Sequence, residues 1–595
     1  ISYIGMKTQE IAIKGKSKID VTLSDDAKAL DEVVVIGYGT AKRKDITGSV
    51  ASVNSETLAA IPVASATEAL QGKMAGVQIT TTEGSPDAQM SIRVRGGGSI
   101  TQSNEPLFIV DGFPVESISD IPPTDIESID VLKDASSTAI YGARGANGVI
   151  IVTTKSGKEG KVSVSYNAYY AWKKVAKTLD VLSASDYTKW QYELAQLTNK
   201  NDDYIKYFGN YQDLDMYDNV ATNDWQDLTF GRTGHSFNHN LSINGGSDKF
   251  KYSFSYSHID DKAIMQMSDY ARDNLNLKLN HKPLKNVSLD FSARFSKTKI
   301  NGGGSNDANS SLNTDKRLKY SLLYTPYPVP GISDALNADE EDANSLLINP
   351  LISLRDNDTR KERINYNLAG SITWEIIKDL KLKAEVGYDD YRNNADRYYG
   401  VTTYYVRNNV DDEDKSKPAI SFTRGTRTAF RSTNTLSYDF KKFFKNNKNH
   451  LNLLAGQEYI VTRERELRNV VHGFPTEYTA DDCINYSTKG NPYEVTNYGY
   501  PDDVLFSFFG RANYDFDSKY LFSATFRADG SSKFAKGNQW GFFPSAAVAW
   551  RISSESFMEN TKNWLDDLKL RFSYGTAGNN NIPSGQISQL YELNK

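Results

Sequence analysis

The chain has 595 residues and a formal net charge of −5 at pH 7, from 69 basic and 74 acidic side chains. This balance gives no basic surface for a polyanion, so we predict that the protein does not bind nucleic acid. The single cysteine, Cys483, excludes a disulfide within the chain. The sequence contains no run of about 18 apolar residues, so no transmembrane helix is predicted.

The mean hydropathy is polar, and tyrosine is the main aromatic residue, with 36 tyrosines against 7 tryptophans. A soluble protein has this hydropathy, and so does a β-barrel whose inner face is polar. Tyrosine is common both in strands and at membrane interfaces. Composition therefore leaves both classes open.

The first residues have a sequence pattern typical of a small β module. Residues 1–30 read as its last strands, and residues 31–47 as a linker with one apolar run, Val33–Ile36. Because the chain begins in the strand-like segment Ile1–Gly5, we expect a further N-terminal portion to precede it.

Residues 48–157 are rich in glycine and read as mixed α/β. Strands are predicted at Ser91–Arg95, Leu107–Asp111, Ile126–Leu132 and Val149–Thr154, with a short helix at Ser65–Ala75. Asp134 stands in the N-cap position of a second helix that runs to Tyr141. The glycines at 142, 145 and 148 lack the spacing of a phosphate-binding loop, so a tight turn is predicted there.

From residue 161 onward the apolar residues recur with a period of two. One face of a predicted strand carries Phe250, Tyr252, Phe254 and Tyr256, and the other face carries Lys251, Ser253, Ser255 and Ser257. Roughly thirteen such segments of about ten residues can be recognised, the length that a tilted strand needs to cross a bilayer.

The connections between these segments alternate in length. Short turns at 245–248, 281–286, 378–379 and 515–518 are separated by long polar stretches near 300–360, 391–424 and 465–503. Outer-membrane barrels have this order of short and long connections. Soluble β-sandwiches also alternate apolar and polar residues, but their strands are usually shorter, so the pattern favours a barrel.

Six segments carry distinctive motifs: Asp31–Gly39, Ala69–Lys73, Ile92–Gly96, Pro106–Gly112, Val131–Ser136 and Ala139–Val149. These motifs are similar to those of one family, the SusC-like TonB-dependent outer-membrane transporters (SusC/RagA type) of Bacteroidetes. The resemblance covers essentially the whole chain and is sharpest at 31–157.

The resemblance implies a mainly β fold, with a transmembrane antiparallel β-barrel and an N-terminal α/β plug domain inside it. Residues 1–30 would end a carboxypeptidase-regulatory-like β module, 31–47 would hold the TonB box and linker, 48–157 the plug, and 158–595 the N-terminal part of the barrel. Family barrels have 22 strands, as in the largest transporters of this kind, and about thirteen fit here. Open sheet edges in lipid cost several kcal/mol per unpaired group, so we expect roughly nine further strands in a tail or another chain.

By the same resemblance, the TonB box comprises Glu32, Val33, Val34, Val35, Ile36, Gly37 and Tyr38. Such a β-branched segment can add as a strand to the edge of the periplasmic TonB protein. The alternative reading is a plain terminal strand.

Four plug residues within the family motifs are assigned structural roles: Arg93, Arg95, Asp111 and Arg144. The three arginines would carry buried charges inside a barrel, and we expect them to pair with acidic groups because an unpaired buried charge is costly.

Tyr398, Tyr399, Tyr404 and Tyr405 lie in a predicted outer loop, where tyrosine rings could stack on cargo. An interface girdle or packing within the loop explains them equally well. The acidic runs at 340–342 and 411–414 are predicted to be solvated surface.

The predicted function is active import of an oligosaccharide or peptide across the outer membrane. The family implies two partners, a SusD-like surface lipoprotein and the TonB–ExbB–ExbD machinery, with outer-membrane lipid around the barrel. No nucleophile–base set is recognisable, so we predict no enzyme, no cofactor and no metal. A passive pore or adhesin is the alternative function, and a soluble multidomain β enzyme is a third.

Overall fold

A computed structural model describes residues 21, 33–42, 45–59, 63–81, 90–97, 99–100, 103–302, 317–330, 348–408, 412–440, 448–561, 563–565 and 567–587. The predicted β module at 1–30 lies outside the described residues apart from Val21, and so does Glu32.

Nine short strands are found in the described residues of the plug and of the segment before it. They are β1 (Val33–Ile36), β2 (Gly39–Lys42), β3 (Val50–Asn54), β4 (Val77–Thr81), β5 (Met90–Val94), β6 (Leu107–Val110), β7 (Phe113–Val115), β8 (Ile126–Leu132) and β9 (Val149–Thr154). Five of these strands form a sheet in the order β3-β8-β9-β6-β7, in which β6 and β9 are parallel. The pairs β1–β2 and β4–β5 are separate hairpins.

The described part of the plug also has three short helices, α1 (Ser55–Ala59), α2 (Ala66–Ala69) and α3 (Ala135–Thr138), with 3₁₀ turns at Pro123–Asp125 and Ala139–Arg144. Asp134 caps α3 as predicted, since its carboxylate accepts a hydrogen bond from Ser137 N at 2.8 Å. The plug has its own apolar core, in which Leu58, Ile118 and Ile129 are fully buried. It is therefore a folded unit and not a loop insertion.

Fourteen strands of the described chain form one antiparallel sheet, called the wall below. They are β10 (Gly160–Lys173), β11 (Gly234–Gly246), β12 (Phe250–Lys262), β13 (Asp269–Leu284), β14 (Val287–Asn301), β15 (Thr359–Ile377), β16 (Leu380–Tyr399), β17 (Ala419–Asp439), β18 (Asn449–His472), β19 (Asn491–Gly499), β20 (Asp503–Phe516), β21 (Tyr520–Ser531), β22 (Trp540–Arg551) and β23 (Lys569–Gly575). The predicted mainly β, antiparallel fold with an α/β plug is confirmed. Within the described residues, β10 and β23 each have a single neighbour.

The connections of the wall carry further helices: α4 (Ala184–Thr198), α5 (Asn201–Phe208), α6 (Trp225–Phe230), α7 (Arg317–Leu323), α8 (Pro350–Asp356), α9 (Tyr404–Asn408) and α10 (Ala480–Asn485). The 3₁₀ segments there are Tyr211–Asn219, Asp412–Asp414, Ser487–Lys489, Ile552–Ser554 and Ser556–Thr561. Among the described residues, no helix combines the length and the apolar character that crossing a membrane requires.

The wall has an apolar outer face and a polar inner face. Phe250 and Phe291 are 42% and 43% exposed, whereas Ser253, Ser255 and Ser257 are at most 7% exposed. A water-soluble sandwich would bury the phenylalanine rows and expose the serines. The predicted assignment of the two faces is confirmed, and the reading as soluble β domains is wrong.

The two ends of the wall differ in their connections. Short turns join β11 to β12, β13 to β14, β15 to β16 and β20 to β21 at one end, the turn end. Long connections at 174–233, 302–358 and 473–490 lie at the other end, the loop end. In outer-membrane barrels the loop end faces the outside.

Two of the predicted long loops are wrong in extent. Residues 391–424 and 465–503 were predicted to be loops, but β16 continues to Tyr399, β17 begins at Ala419, and β18 and β19 pair across Arg465–His472. Toward the loop end the outer face of these strands carries charged residues, such as the ion pair of Asp396 and Arg424 at 2.6 Å. An apolar cluster that includes Tyr398, Ile420 and Val471 is buried only at the strand ends. The backbone pairing persists there, but the alternation that predicts a strand disappears.

We expect Ile372→Arg to impair insertion of the wall. Ile372 is 53% exposed on the outer face of β15, between Tyr366 and Trp374. An arginine near the middle of the bilayer costs about 2–4 kcal/mol. The fraction of protein that migrates as a folded barrel without boiling measures this loss. Asn394→Arg, beyond the apolar band on β16, is the matched control; an equal loss in both variants would contradict the membrane assignment.

Candidate functional site

A group of buried charges joins the plug to the wall. The central cluster comprises Arg144 of the plug and Glu385, Arg431, Glu458, Arg527 and Asp529 of the wall. The side chains of Arg527 and Asp529 are 0% exposed, and that of Glu458 is 1% exposed. Charges buried to this degree are stable only when each has partners.

Glu458 is the hub of the central cluster. Its carboxylate accepts hydrogen bonds from Arg431 Nε at 2.9 Å, Arg527 Nη2 at 2.9 Å and Arg144 Nη2 at 3.1 Å. The Tyr38 hydroxyl donates a fourth, at 3.0 Å. A carboxylate offers about four acceptor positions, so Glu458 is saturated. Two of its four donors come from outside the wall.

Arg527 carries the cluster into the backbone of the plug. Its Nη1 donates to Ile140 O at 2.8 Å, and its Nε donates to Asp529 Oδ1 at 2.7 Å. Asp529 in turn accepts from Ala143 N at 2.6 Å. The wall therefore binds the 3₁₀ turn Ala139–Arg144 at two backbone groups, the carbonyl of Ile140 and the N–H of Ala143.

Gly142 allows this close approach. Its φ is +53°, and a Cβ built there would lie 2.0 Å from Asp529 Oδ2 and 2.8 Å from Arg527 Cδ. Only glycine satisfies both the backbone angle and the spacing. The predicted tight turn is present, and its function is to admit the wall's charged side chains.

Asp111 forms a second anchor. Its Oδ1 accepts from Lys278 Nζ at 2.7 Å and from Thr154 N at 2.9 Å. Burial alone would raise the pKa of Asp111, but the charges of Lys278 and Arg294 hold that pKa below its usual value. The carboxylate is therefore ionised at neutral pH.

Elsewhere, cationic side chains of the wall donate to backbone carbonyls of the plug and of the segment before it. The contacts are Arg272 to Ser119 O and Ala64 O, Arg511 to Ile36 O, Lys569 to Ile46 O, and Arg571 to Gly48 O. Such contacts can be exchanged for water when the plug moves. Apolar contact is also present, since Leu454 and Phe509 of the wall share a buried cluster with the plug.

The three predicted plug arginines differ in position. Arg144 is buried and pairs with Glu458, as expected. Arg93 and Arg95 are exposed, because Ile92 and Val94 of the same strand point into the plug core and the period of two turns the arginines outward. The expectation of a buried charge is met by Arg144 and not by the other two.

The predicted TonB box is a docked hairpin in this structure. Strand β1 pairs with β2 from Val33 to Ile36, and Tyr38 follows in the turn. The Tyr38 ring stacks on Phe509 with ring centroids 4.1 Å apart. Burial raises the pKa of the Tyr38 hydroxyl, an effect that the Arg527 charge partly offsets. The hydroxyl is therefore protonated and can donate to Glu458. TonB binding to this segment stays a prediction.

The predicted loop tyrosines pack within the outer connections. Tyr398 and Tyr399 are each 7% exposed, and Tyr399 stacks on Tyr405 with centroids 4.3 Å apart. The Tyr405 hydroxyl lies 2.9 Å from His472 Nε2, and Tyr404 begins α9. Packing within the loops describes these positions, and contact with cargo stays a prediction.

Cavities lie between the plug and the wall, and three of them, within the part of the chain that the structure describes, are relevant to the site. The β13–β17 cavity, of about 460 Å³, lies toward the loop end; Asp120, Arg294, Asn365, Asn367, Asp389 and Asn393 are among its lining residues. The β17–β20 cavity, of about 550 Å³, also lies toward the loop end and reaches Arg144. The turn-side cavity, of about 860 Å³, reaches Tyr38 from the opposite end.

Sequence reasoning missed the wall members of the central cluster. Glu458, Arg431 and Arg527 each stand on the polar face of a predicted strand, as do many other polar residues. A charge in the middle of a membrane strand was the available signal. Which of these charges meet depends on the register of β17, β18, β20 and β21 and on the position of the plug.

A folded plug set against the polar face of a membrane-spanning antiparallel sheet is the architecture of TonB-dependent receptors. The family described as "TonB-dependent Receptor Plug Domain" matches residues 42–149, and "TonB dependent receptor-like, beta-barrel" matches residues 304–593. FecA, a ferric citrate transporter, shares the fold at 12% identity, with a TM-score of 0.53, 86% of this chain and 61% of that chain being covered.

Relatives with a higher sequence identity to this chain identify a subgroup of the TonB-dependent receptors. The TonB-dependent receptor P3 of Formosa agariphila is 33% identical over 98% of this chain and 54% of its own length. The TonB-dependent receptor SusC of Bacteroides thetaiotaomicron is 32% identical over 98% of this chain and 56% of its own length. A structure of the RagAB peptide importer matches 93% of this chain and 62% of its own, with a TM-score of 0.74 and 27% identity.

The chain belongs to the SusC-like (SusC/RagA-type) family of TonB-dependent outer-membrane receptors. The predicted resemblance and the outer-membrane location are thereby confirmed. The chain spans little more than half the length of the curated relatives that it matches.

We expect Gly142→Ala to loosen the plug from the wall. An alanine at φ +53° and ψ −117°, a combination that favours glycine, costs roughly 1–3 kcal/mol by itself, and its Cβ would also displace Asp529. Gly72→Ala is the control, because Gly72 has φ +71° and no atom within 4 Å of its Cβ position. Hydrogen exchange of the Ala139–Arg144 amides should rise in the first variant only. Similar exchange in both would show that the close contact is unimportant.

We expect Asp111→Asn to weaken plug docking in a pH-dependent way. Asparagine tolerates the φ of +51° at this position but leaves Lys278 without its carboxylate. Breaking such a buried pair costs about 3–5 kcal/mol at pH 7. Because the pKa of folded Asp111 is lowered, its contribution is complete above the unfolded pKa of about 3.9 and is lost as the pH falls through the folded pKa.

Urea unfolding followed by circular dichroism at pH 7 and pH 3 measures this effect. The difference between the wild-type protein and Asp111→Asn should shrink at the lower pH. A difference that is the same at both values would exclude an ionised Asp111 as the anchor.

Proposed function

We propose that this protein drives TonB-dependent import of a bulky nutrient, an oligosaccharide or a peptide, across the outer membrane. The observation that carries the proposal is the docking of the candidate TonB box onto the cluster that ties the plug to the wall. Tyr38 of that segment donates directly to Glu458. A force on the segment would therefore act on the plug's central attachment.

In this proposal, β1 adds as a strand to the edge of TonB through main-chain hydrogen bonds. The inner-membrane proton gradient supplies the energy, through the TonB–ExbB–ExbD machinery. Pulling on β1 would displace the plug, whose attachments to the wall are largely hydrogen bonds and ion pairs that water can replace. The plug-filled interior gives no support to a passive pore.

The proposed cargo enters from the loop end, into the β13–β17 cavity. The carboxamides of Asn365, Asn367 and Asn393 line it together with Arg294 and Asp389. Carboxamides bind sugar hydroxyls and peptide groups equally well. This lining supports both cargo classes. We also propose that the protein is not an enzyme, since its relatives are receptors and importers.

A SusD-like surface lipoprotein is the proposed partner at the loop end. One structural relative is the RagAB peptide importer. Purification of the protein from its native membrane, followed by mass spectrometry, should recover a lipoprotein together with bound oligosaccharide or peptide. Recovery of the protein without a lipoprotein would contradict this partner.

We expect Val34→Pro to abolish cargo uptake. Proline removes a backbone N–H and cannot take part in strand addition at that residue. Val34→Thr is the matched control, because threonine keeps both the backbone bonds and the branched side chain, and its uptake should stay within about twofold of wild type.

Uptake is measured in cells with and without TonB, at equal surface levels of the protein. Wild type without TonB should resemble Val34→Pro. If Val34→Pro imports cargo normally, the segment is not the TonB box, and a passive pore or adhesin becomes the better account.

A further inference from the structure

We propose that Tyr38 is a removable seal between the β17–β20 cavity and the turn-side cavity, and that TonB opens the transport path by withdrawing it. The inference rests on the proposed function. It assigns the path to the seam between the plug and strands β17, β18 and β20.

The two cavities lie along the same strands. The β17–β20 cavity is lined by Arg427, Ala429 and Arg431 of β17 and by Ile460 and Thr462 of β18. The turn-side cavity is lined further along those strands, by Thr435 and Ser437 of β17 and by Asn452 and Leu454 of β18. On each strand the two sets are separated by only a few residues, so the cavities are consecutive parts of one seam.

A thin partition divides the seam. Tyr38 lines the turn-side cavity, whereas Arg144 and Arg431 line the β17–β20 cavity. Glu458 lines neither cavity, yet it is hydrogen-bonded to all three of these residues. Two successive hydrogen bonds, one on each side of Glu458, therefore separate the two cavities. Tyr38 is the residue of this partition that lines the turn-side cavity.

The ring of Tyr38 keeps water from the central cluster on the turn side. It is stacked on Phe509, which is 4% exposed, and it lies 6.2 Å from the ring of Tyr141. Water raises the local dielectric and weakens ion pairs several-fold. Removal of the ring would therefore weaken the bond from Arg144 to Glu458, which ties the plug to the wall.

The seal is connected to the segment that TonB would pull. Tyr38 lies two residues after β1, and Gly37 between them has φ +59°. Arg511 Nη1 holds Ile36 O by a single hydrogen bond of 3.0 Å. A force on β1 therefore reaches Tyr38 before it reaches the folded core of the plug, and the ring leaves before the plug moves.

The test measures entry of vancomycin, a large hydrophilic antibiotic that an intact outer membrane excludes, into cells of the producing organism that lack TonB. Tyr38→Ala, made in the chromosomal copy, should raise vancomycin sensitivity at least fivefold. Tyr38→Phe keeps the ring and should stay within twofold of wild type. That rescue separates the seal from a role of the hydroxyl alone.

Phe509→Ala removes the other half of the stacked pair from the wall side, and it should give the same entry. Tyr327→Ala and Tyr327→Phe are matched controls, because Tyr327 is likewise packed against aromatic rings and hydrogen-bonded, to Thr188, but lies in an outer connection. Both controls should exclude vancomycin. Surface labelling confirms that each variant reaches the membrane.

The inference is overturned if Tyr38→Ala and Phe509→Ala both reach the surface and exclude vancomycin as wild type does. It is equally overturned if the Tyr327 variants leak to the same extent. Because these cells lack TonB, neither result bears on active import. Failure of the import proposal would be seen separately, as normal cargo uptake by Val34→Pro.

Discussion

The burial of Glu458 is the interaction on which the arrangement of plug and wall depends. A carboxylate that is 1% exposed requires charged or polar donors on every side. The wall supplies Arg431 and Arg527, but Arg144 and Tyr38 come from the plug and from the segment before it. With the plug displaced, part of this charge would be left for water to satisfy. The Glu458 carboxylate therefore holds the plug in its observed position, and its hydration would lower the cost of displacing the plug.

Two solvents act on the same strands. Lipid on the outside demands continuous apolar rows, such as Phe250 to Tyr256, and water on the inside permits serine, asparagine and paired charges. The plug faces the wet side, so most of its attachments are hydrogen bonds and ion pairs. Release of the plug would consequently exchange these polar partners for water, and it would also expose the apolar contact of Leu454 and Phe509 with the plug. The proposed Tyr38 seal, which controls the access of water to the central cluster, would therefore control the release of the plug.

Much of the fold could be predicted because local patterns determine it. The period of two identified the faces of β12 to β15, and the capping position of Asp134 and the apolar runs identified α3, β8 and β9. The loop-end parts of β16 to β19 escaped prediction, because polar residues on both faces interrupt the alternation before the few apolar residues that are buried at the strand ends, Tyr398, Ile420 and Val471. Arg93 and Arg95 were expected to be buried because their strand lies in the plug, but the plug core itself takes the alternate residues Ile92 and Val94.

The sequence by itself determined the class of this protein: motifs along 31–157 and alternating membrane strands point to a plug and a barrel of the SusC-like type. The tertiary structure alone decided which charges meet. Arg144 and Glu458 are 314 residues apart, and Tyr38 and Arg527 are 489 residues apart. No local periodicity encodes such pairs, because they depend on the register of four strands and on the seating of the plug. Local side-chain patterns determine which face of a strand is polar and meets water. Only the folded chain determines which of those polar residues are in contact.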